Sequence, residues 1–97
     1  MISEEEKKEI YREAFREWGL EKQLDIAIEE CAELIQAICK FKRKGGSELA
    51  SVAEEIADVE IMIEQMKLML PGQAGTFEQN VNTWKTHKLK RLKERLE

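Results

Sequence analysis

The placement of proline and glycine constrains the fold of this 97-residue chain more than any other feature of its sequence. These two residues disfavour helix interiors more strongly than all others. They fall at Gly19, Gly45, Gly46, Pro71, Gly72 and Gly75. The segments between these positions are long and free of helix breakers, so the sequence predicts an all-α fold.

Helix start and stop signals predict four helices in a single domain that spans residues 1–97. The predicted helices run from Ser3 to Trp18, from about Glu21 to about Arg43, from Ser47 to Leu70, and from Thr76 onward. Ser3 with Glu6 and Thr76 with Gln79 have the spacing of capping boxes, and Ser47 is a suitable N-cap.

Apolar residues recur on the second and third predicted helices with alternating steps of four and three, as in helices that pack along one side. These stripes are Leu24, Ile28, Cys31, Ile35 and Ile38 on the second helix, and Val52, Ile56, Val59, Ile63, Met66 and Leu70 on the third. A short glycine turn joins the two helices, which predicts a central antiparallel hairpin. The two stripes present more apolar surface than one short bundle can bury. We therefore expect a homo-oligomer, either a dimer or a tetramer, with these helices near the interface.

The charge, hydropathy and cysteine positions limit the partners, the cellular location and the disulfides that we expect for this protein. Charged residues make up 37% of the chain but the net charge is only −4, so no nucleic-acid partner is expected. The chain contains neither a run of about 18 apolar residues nor a basic and apolar leader, and we expect a cytoplasmic protein without a membrane partner. Cys31 and Cys39 are too far apart on one helix for a disulfide and are interpreted as buried thiols.

Each hairpin helix also carries two acids three residues apart, Glu30 with Glu33 and Glu55 with Asp58. The rows they belong to are otherwise small, apolar or uncharged, with Ile26 and Ala37 on one helix and Met62, Gln65 and Met69 on the other. Like charges at this spacing repel, and desolvation makes the repulsion worse. A magnesium ion, which prefers oxygen ligands, would neutralise them. The periodicity leaves a second interpretation open, in which these acids are solvated surface charges.

The segments 29–34 (EECAEL) and 54–58 (EEIAD) resemble the EExxE and ExxD signature of MazG-like proteins, in the superfamily of all-α nucleoside triphosphate pyrophosphatases. The distance between the two segments also fits that pattern. Further resemblance lies in 18–19 (WG), Gln23 and 88–92 (KLKRL), so it extends over nearly the whole chain. It implies a four-helix, MazG-like bundle.

The resemblance implies magnesium-dependent hydrolysis of a (deoxy)nucleoside triphosphate to monophosphate and pyrophosphate, with Mn²⁺ as a substitute ion. House-cleaning of non-canonical nucleotides is one such role. By the family pattern the metal ligands are Glu30, Glu33, Glu55 and Asp58. Glu29 is a candidate for an outer-shell residue or a general base.

Five further residues are candidates for substrate binding. Gln23 lies two turns before the first acid pair, where an amide could hydrogen-bond a base edge, and Trp18 could stack on the base or belong to the core. Lys88, Arg91 and Arg95 share one face of the last helix, which suits a triphosphate. The alternative for these cations is a solvated helix end that interacts with the helix dipole.

Two function classes other than a pyrophosphohydrolase remain open. A non-catalytic helical dimerisation or regulatory module would use the same apolar stripes. It would not explain why the two acid pairs line one side of the hairpin. A plain phosphatase would use the same metal chemistry. Nucleic-acid binding through the last helix is disfavoured, because aromatic residues are not interleaved with its basic residues.

Overall fold

In the computed structural model, which describes residues 1–72 and 75–97, the chain is built from three α-helices and a short 3₁₀ turn. Helix α1 spans Glu4–Lys44, the 3₁₀ turn spans Gly45–Glu48, α2 spans Leu49–Met69 and α3 spans Phe77–Leu96. No β-strand occurs in these two ranges. The prediction of an all-α fold is confirmed.

The first two predicted helices form one helical element in the structure. Gly19, inside α1, has φ 82° and ψ 165°, which are not helical values. A positive φ of this kind favours glycine, which has no Cβ atom. Helical residues continue directly on either side of Gly19, so α1 consists of two helical segments joined at a kink, and these correspond to the first two predicted helices.

The helix ends follow the capping signals at two of three sites. The Ser3 hydroxyl accepts a hydrogen bond from the Glu6 backbone N–H at 3.1 Å. Thr76 and Gln79 form both bonds of a capping box, at 3.0 Å and 2.9 Å. The prediction of Ser47 as an N-cap is wrong, since Ser47 lies within the 3₁₀ turn.

The part of α1 that follows Gly19 packs against α2 in an antiparallel arrangement. Near the start of this part, Gln23 lines the same narrow cavity as Met62 and Met66 of α2. Further along, Glu30 meets Glu55, so residue numbers rise on α1 as they fall on α2. Packing between α1 and α2 therefore forms the main body of the fold, as the predicted hairpin requires.

The core is small and is centred on the seam between α1 and α2. Its buried apolar residues are Tyr11, Ala27, Ala37, Val59 and Met62. On α1 after Gly19, the buried and half-buried residues Gln23, Ala27, Glu30, Leu34 and Ala37 form one line, and Leu24 and Ile26 are also half-buried.

The apolar stripe predicted for α1 does not form this core. Ile28 and Ile35 remain 68% and 64% exposed. Cys31 and Cys39 are also exposed, so the prediction of buried thiols is wrong. The physical reason is that α2 packs on the neighbouring line of small and acidic residues. The apolar stripe of α1 therefore points away from α2.

Helix α3 is loosely attached to the rest of the protein. It packs against α2, and in the described residues it does not pack against α1. None of its own residues is buried. Its leucines, Leu89, Leu92 and Leu96, are exposed. Across residues 1–72 and 75–97, we find no helix with the length and apolar character needed to span a membrane.

Candidate metal centre

Four carboxylates converge at one point along the seam between α1 and α2. Glu30 and Glu33 lie about one turn apart on α1, and Glu55 and Asp58 lie about one turn apart on α2. Each side chain offers one oxygen, and these four oxygens lie within 4.8 Å of one another. The structure thus brings together all four residues that the sequence singles out as metal ligands, a group called the acid cluster below.

Small and apolar side chains bound the acid cluster along the seam. Ala27 and Ala37 are buried on α1, about one turn before and one turn after the acid pair. Val59 and Met62 are buried beside the acids of α2. Apolar neighbours of this kind replace water with a medium that solvates charge poorly. This environment disfavours the ionised form of Glu30 and Glu55.

The electrostatics of the cluster reflect this burial. Glu30 and Glu55 are half-buried, and the Oε2 atom of each is shielded from solvent with no hydrogen bond to any described residue. Burial raises the pKa of Glu30, and the charges of Asp58 and Glu33 raise that pKa further. Burial likewise raises the pKa of Glu55, followed by the charges of Glu33 and Asp58. The cluster holds negative charge at an unfavourable free energy unless a cation joins it.

The geometry and donor atoms of the acid cluster fit a magnesium ion. None of the salt bridges among the described residues reaches the four acids. Magnesium binds oxygen ligands at about 2.1 Å, so two ligands on opposite sides of the ion lie about 4.2 Å apart. The observed limit of 4.8 Å exceeds this only slightly. Glu33 is exposed, which leaves one side of the cluster accessible to water and phosphate.

Glu29 and Trp18 lie at the two ends of a shallow hollow along α1. The hollow is formed by Trp18, Glu21, Lys22, Asp25, Ile26 and Glu29 on α1. Glu29 is exposed and lies outside the cluster, one turn before Glu33. Trp18 is 53% exposed, so a large part of its ring is accessible for stacking.

Gln23 is placed differently from the other substrate-binding candidates. Its side chain is buried between α1 and α2, two turns before Glu30. The Nε2 atom has no hydrogen-bond partner among the residues described. The cavity beside it is narrow, and its lining is apolar apart from Gln65. The other lining residues are Phe15, Leu20, Leu24, Met62, Met66, Met69 and Leu70. An unpaired buried amide is costly, and a polar group that reached it would relieve that cost.

The structure does not place the cations of α3 against α1, the helix that carries Glu30 and Glu33. Lys88, Arg91 and Arg95 are exposed on α3, and within the described part of the chain this helix packs against α2 alone. The Lys88 Nζ atom lies 5.9 Å from the centre of the Trp84 ring, a distance typical of a cation–π interaction. Within one chain, these residues form a separate basic and aromatic surface.

The structure also shows a polar anchor that the spacing of residues did not predict. The Tyr11 hydroxyl donates a hydrogen bond to Glu64 at 3.2 Å, and Lys7 pairs with the other carboxylate oxygen of Glu64 at 3.1 Å. These interactions fix the first part of α1 to the far end of α2. Periodicity within a helix carries no signal for them, because the partners are more than 50 residues apart.

Comparison with known proteins gives no significant match to a protein family, to a curated protein or to a solved structure.

Proposed function

We propose that this chain is a MazG-like, magnesium-dependent nucleotide pyrophosphohydrolase, which converts a (deoxy)nucleoside triphosphate and water to the monophosphate and pyrophosphate. The convergence of Glu30, Glu33, Glu55 and Asp58 carries the proposal. Glu30 and Glu55 each hold a shielded oxygen with no hydrogen-bond partner in the described residues, and a cation would neutralise this buried negative charge. The resemblance of segments 29–34 and 54–58 to the MazG-like signature supports the same reaction.

In this proposal the acid cluster holds the metal through oxygen atoms alone. Mg²⁺, or Mn²⁺ in its place, would polarise the phosphate oxygens and lower the pKa of water. Glu29, exposed and one turn before Glu33, is the candidate to accept the proton of the attacking water. The water oxygen bonds to phosphorus at the α–β bridge, the bridging P–O bond breaks, and pyrophosphate leaves.

The resemblance and the surroundings of each candidate side chain support the proposed substrate-binding roles. Trp18 stacks on the base at the hollow that it shares with Glu29, and Gln23 hydrogen-bonds a polar group that enters the seam. Lys88, Arg91 and Arg95 bind the triphosphate as charge-assisted hydrogen-bond donors. We propose that the enzyme acts as a cytoplasmic homo-oligomer with a four-helix chain, in which Gly19 divides α1 into two helices. House-cleaning of non-canonical nucleotides is the proposed role.

The test is a screen of canonical and modified nucleoside triphosphates with magnesium, in which pyrophosphate and orthophosphate are detected separately. We expect pyrophosphate and monophosphate from at least one substrate. Glu30→Gln should lower kcat/KM by more than about 100-fold, because it removes a metal ligand. Glu54→Gln is the matched control, since Glu54 is an exposed acid outside the cluster, and it should retain activity. Release of orthophosphate and diphosphate alone would instead identify a phosphatase.

The second candidate function is a non-catalytic dimerisation or regulatory module. The observation that favours it is the large exposed apolar surface of α1, α2 and α3. It predicts self-association without turnover of any triphosphate, and a thermal stability that does not respond to magnesium. The same screen, together with melting curves, separates the two candidates.

A further inference from the structure

The first segment of α1, residues 4–18, is attached to the rest of the chain along a narrow line of side chains. We call this segment the N-terminal arm. Within it Tyr11 is buried, Lys7, Ala14 and Phe15 are half-buried, and all other residues are exposed. Segments with few buried contacts open at a lower free energy than the core of a fold. The N-terminal arm is therefore the part of α1 that can leave α2 most easily.

Two polar contacts fasten the N-terminal arm to α2, and both end on Glu64. The Tyr11 hydroxyl donates a hydrogen bond to Glu64 at 3.2 Å. The Lys7 Nζ atom lies 3.1 Å from the other carboxylate oxygen, and the side chains of this ion pair are 33% and 37% exposed. Water competes for ion pairs at this exposure, so they contribute little free energy. The fastening can therefore release while the rest of the chain stays folded.

Gly19 joins the N-terminal arm to the remainder of α1. Its φ of 82° and ψ of 165° interrupt the helix at this one residue. Glycine adopts a wider range of φ and ψ values than any other residue. No neighbouring side chain among the described residues lies within 4 Å of the position that a Cβ would take. A change of dihedral angles at Gly19 would move the arm as a unit, as hinge residues do.

The N-terminal arm contributes Phe15 to the wall of the cavity at Gln23. This cavity has a volume of about 10 Å³, which is about the space of one water molecule. Gln23 is 7% exposed, and its Nε2 atom has no hydrogen-bond partner in the described residues. The nearby amide of Gln65 donates instead to the Met62 sulfur at 3.8 Å. While the arm is in place, a group larger than water cannot reach the Gln23 amide.

We infer that the N-terminal arm is a lid, which opens at Gly19, releases Glu64 and exposes the Gln23 amide with its cavity. The hinge, the weak fastening and the closed cavity are three separate observations that agree on this motion. One part rests on the proposed function, namely that the opening admits the substrate group that Gln23 binds. The opening itself requires neither nucleotide nor magnesium, so it is tested without them.

Thiols placed inside and outside the cavity test the opening. Met62 is buried and lines the cavity, whereas Val59, one turn earlier on α2, is buried outside it. Met62→Cys and Val59→Cys are each made in a Cys31→Ser/Cys39→Ser background, and the rate with iodoacetamide is divided by the rate in the denatured chain. The thiol of Met62→Cys should react at least tenfold faster than that of Val59→Cys. Low urea should change its rate little, because lid opening exposes less surface than unfolding. Equal rates with the same steep rise in urea would overturn the proposal.

Weakening the fastening should speed the opening. Adding Tyr11→Phe to Met62→Cys removes the hydroxyl that donates to Glu64, and the thiol should react at least threefold faster. Arg16→Ala is the matched control, because it breaks a pair with Glu9 inside the arm, and it should change the rate by less than twofold. A rate that does not respond to Tyr11→Phe would contradict the lid.

Hydrogen exchange of the wild type decides the question if a cysteine variant fails to fold. Backbone amides of residues 7–18 should exchange at one common rate, at least tenfold faster than those of residues 23–37. Exchange that slows gradually from the terminus toward Gly19 would indicate fraying and overturn the hinge, as would equal exchange in the two segments. Because these measurements use no nucleotide or magnesium, they can fail while the proposed hydrolysis stands, and the substrate screen can fail while the lid stands.

Discussion

Glu30 on α1 and Glu55 on α2 face each other across the helix seam, with carboxylate oxygens within 4.8 Å and one oxygen of each hidden from solvent. Two acids in this position repel each other, and neither is paired with a base in the described residues. This repulsion disfavours the metal-free folded state near neutral pH. In the proposed function, a bound cation would offset the repulsion in the folded state alone.

Magnesium should therefore raise the melting temperature of the wild type. At a free concentration ten times the dissociation constant, binding should stabilise the folded state by about 1.4 kcal/mol. Glu30→Gln and Asp58→Asn should leave the metal-free protein at least as stable as the wild type, because each removes one repelling charge, while the rise with magnesium becomes smaller. Melting curves with and without magnesium measure both effects. A wild type that does not respond to magnesium, even with a non-hydrolysable triphosphate present, would exclude the metal centre.

The stability of the metal-free protein should depend on pH in a direction set by Glu30 and Glu55. Folding raises the pKa of both groups above the ordinary value of 4.5, so the folded state holds their protons more tightly than the unfolded state. Their unfavourable effect is absent below pH 4.5 and grows as the pH rises through the folded pKa values. Urea unfolding of wild type and Glu30→Gln/Glu55→Gln between pH 4 and 8 should show the double variant gaining relative stability with rising pH. A difference that is constant over this range would contradict the expectation.

The hydrogen bond between Tyr11 and Glu64 should contribute measurably to stability. Tyr11→Phe removes the hydroxyl that donates to Glu64 at 3.2 Å, and we expect a loss of about 1 kcal/mol in the free energy of unfolding. Arg16→Ala is the control, since it breaks the exposed pair with Glu9 on the same helix and should change stability by less than about 0.5 kcal/mol. Chemical denaturation of both variants makes the comparison. Equal losses would show that the Tyr11 hydrogen bond contributes no more to the free energy of unfolding than the exposed ion pair does.

The cations of α3 should affect catalysis more than folding. Lys88→Ala or Arg91→Ala should raise KM or lower kcat for the triphosphate, while the melting temperature stays within about 2 °C of the wild type, because exposed charges contribute little stability. Lys93→Ala is the control, as Lys93 lies on α3 away from the face shared by Lys88 and Arg91. Unchanged kinetics in both variants would assign these residues to a solvated helix end.

Local rules were sufficient for the helices themselves. The sparse proline and glycine residues predicted an all-α chain, and the structure confirms it in residues 1–72 and 75–97. The capping box at Thr76 and the non-helical Gly19 are where the sequence predicts them. These features depend on residues within one or two turns of each other, so a linear sequence contains all the information they need.

The acid cluster was only partly determined by the sequence. The spacing of Glu30 with Glu33 places two acids on one face of a helix, whatever that helix packs against. Whether that face meets the acids of α2 depends on packing between residues far apart in the chain. Two lines of residues along α1 could pack against α2. One contains Glu30 and Glu33, and the other, which is more hydrophobic, contains Ile28 and Ile35.

In the structure, α2 packs against the line of α1 that contains the acids, and Ala27 and Ala37 are buried on this line. The side chains of alanine are short, so they fit between two closely packed helices, whereas the isoleucines are larger and remain exposed. The sequence by itself determined that α1 has an acidic line and an apolar line, because both follow from the helical period. Only the tertiary structure decided that the acidic line packs inside the chain and the apolar line remains exposed, because helix packing depends on the shape of both surfaces as well as on their hydrophobicity.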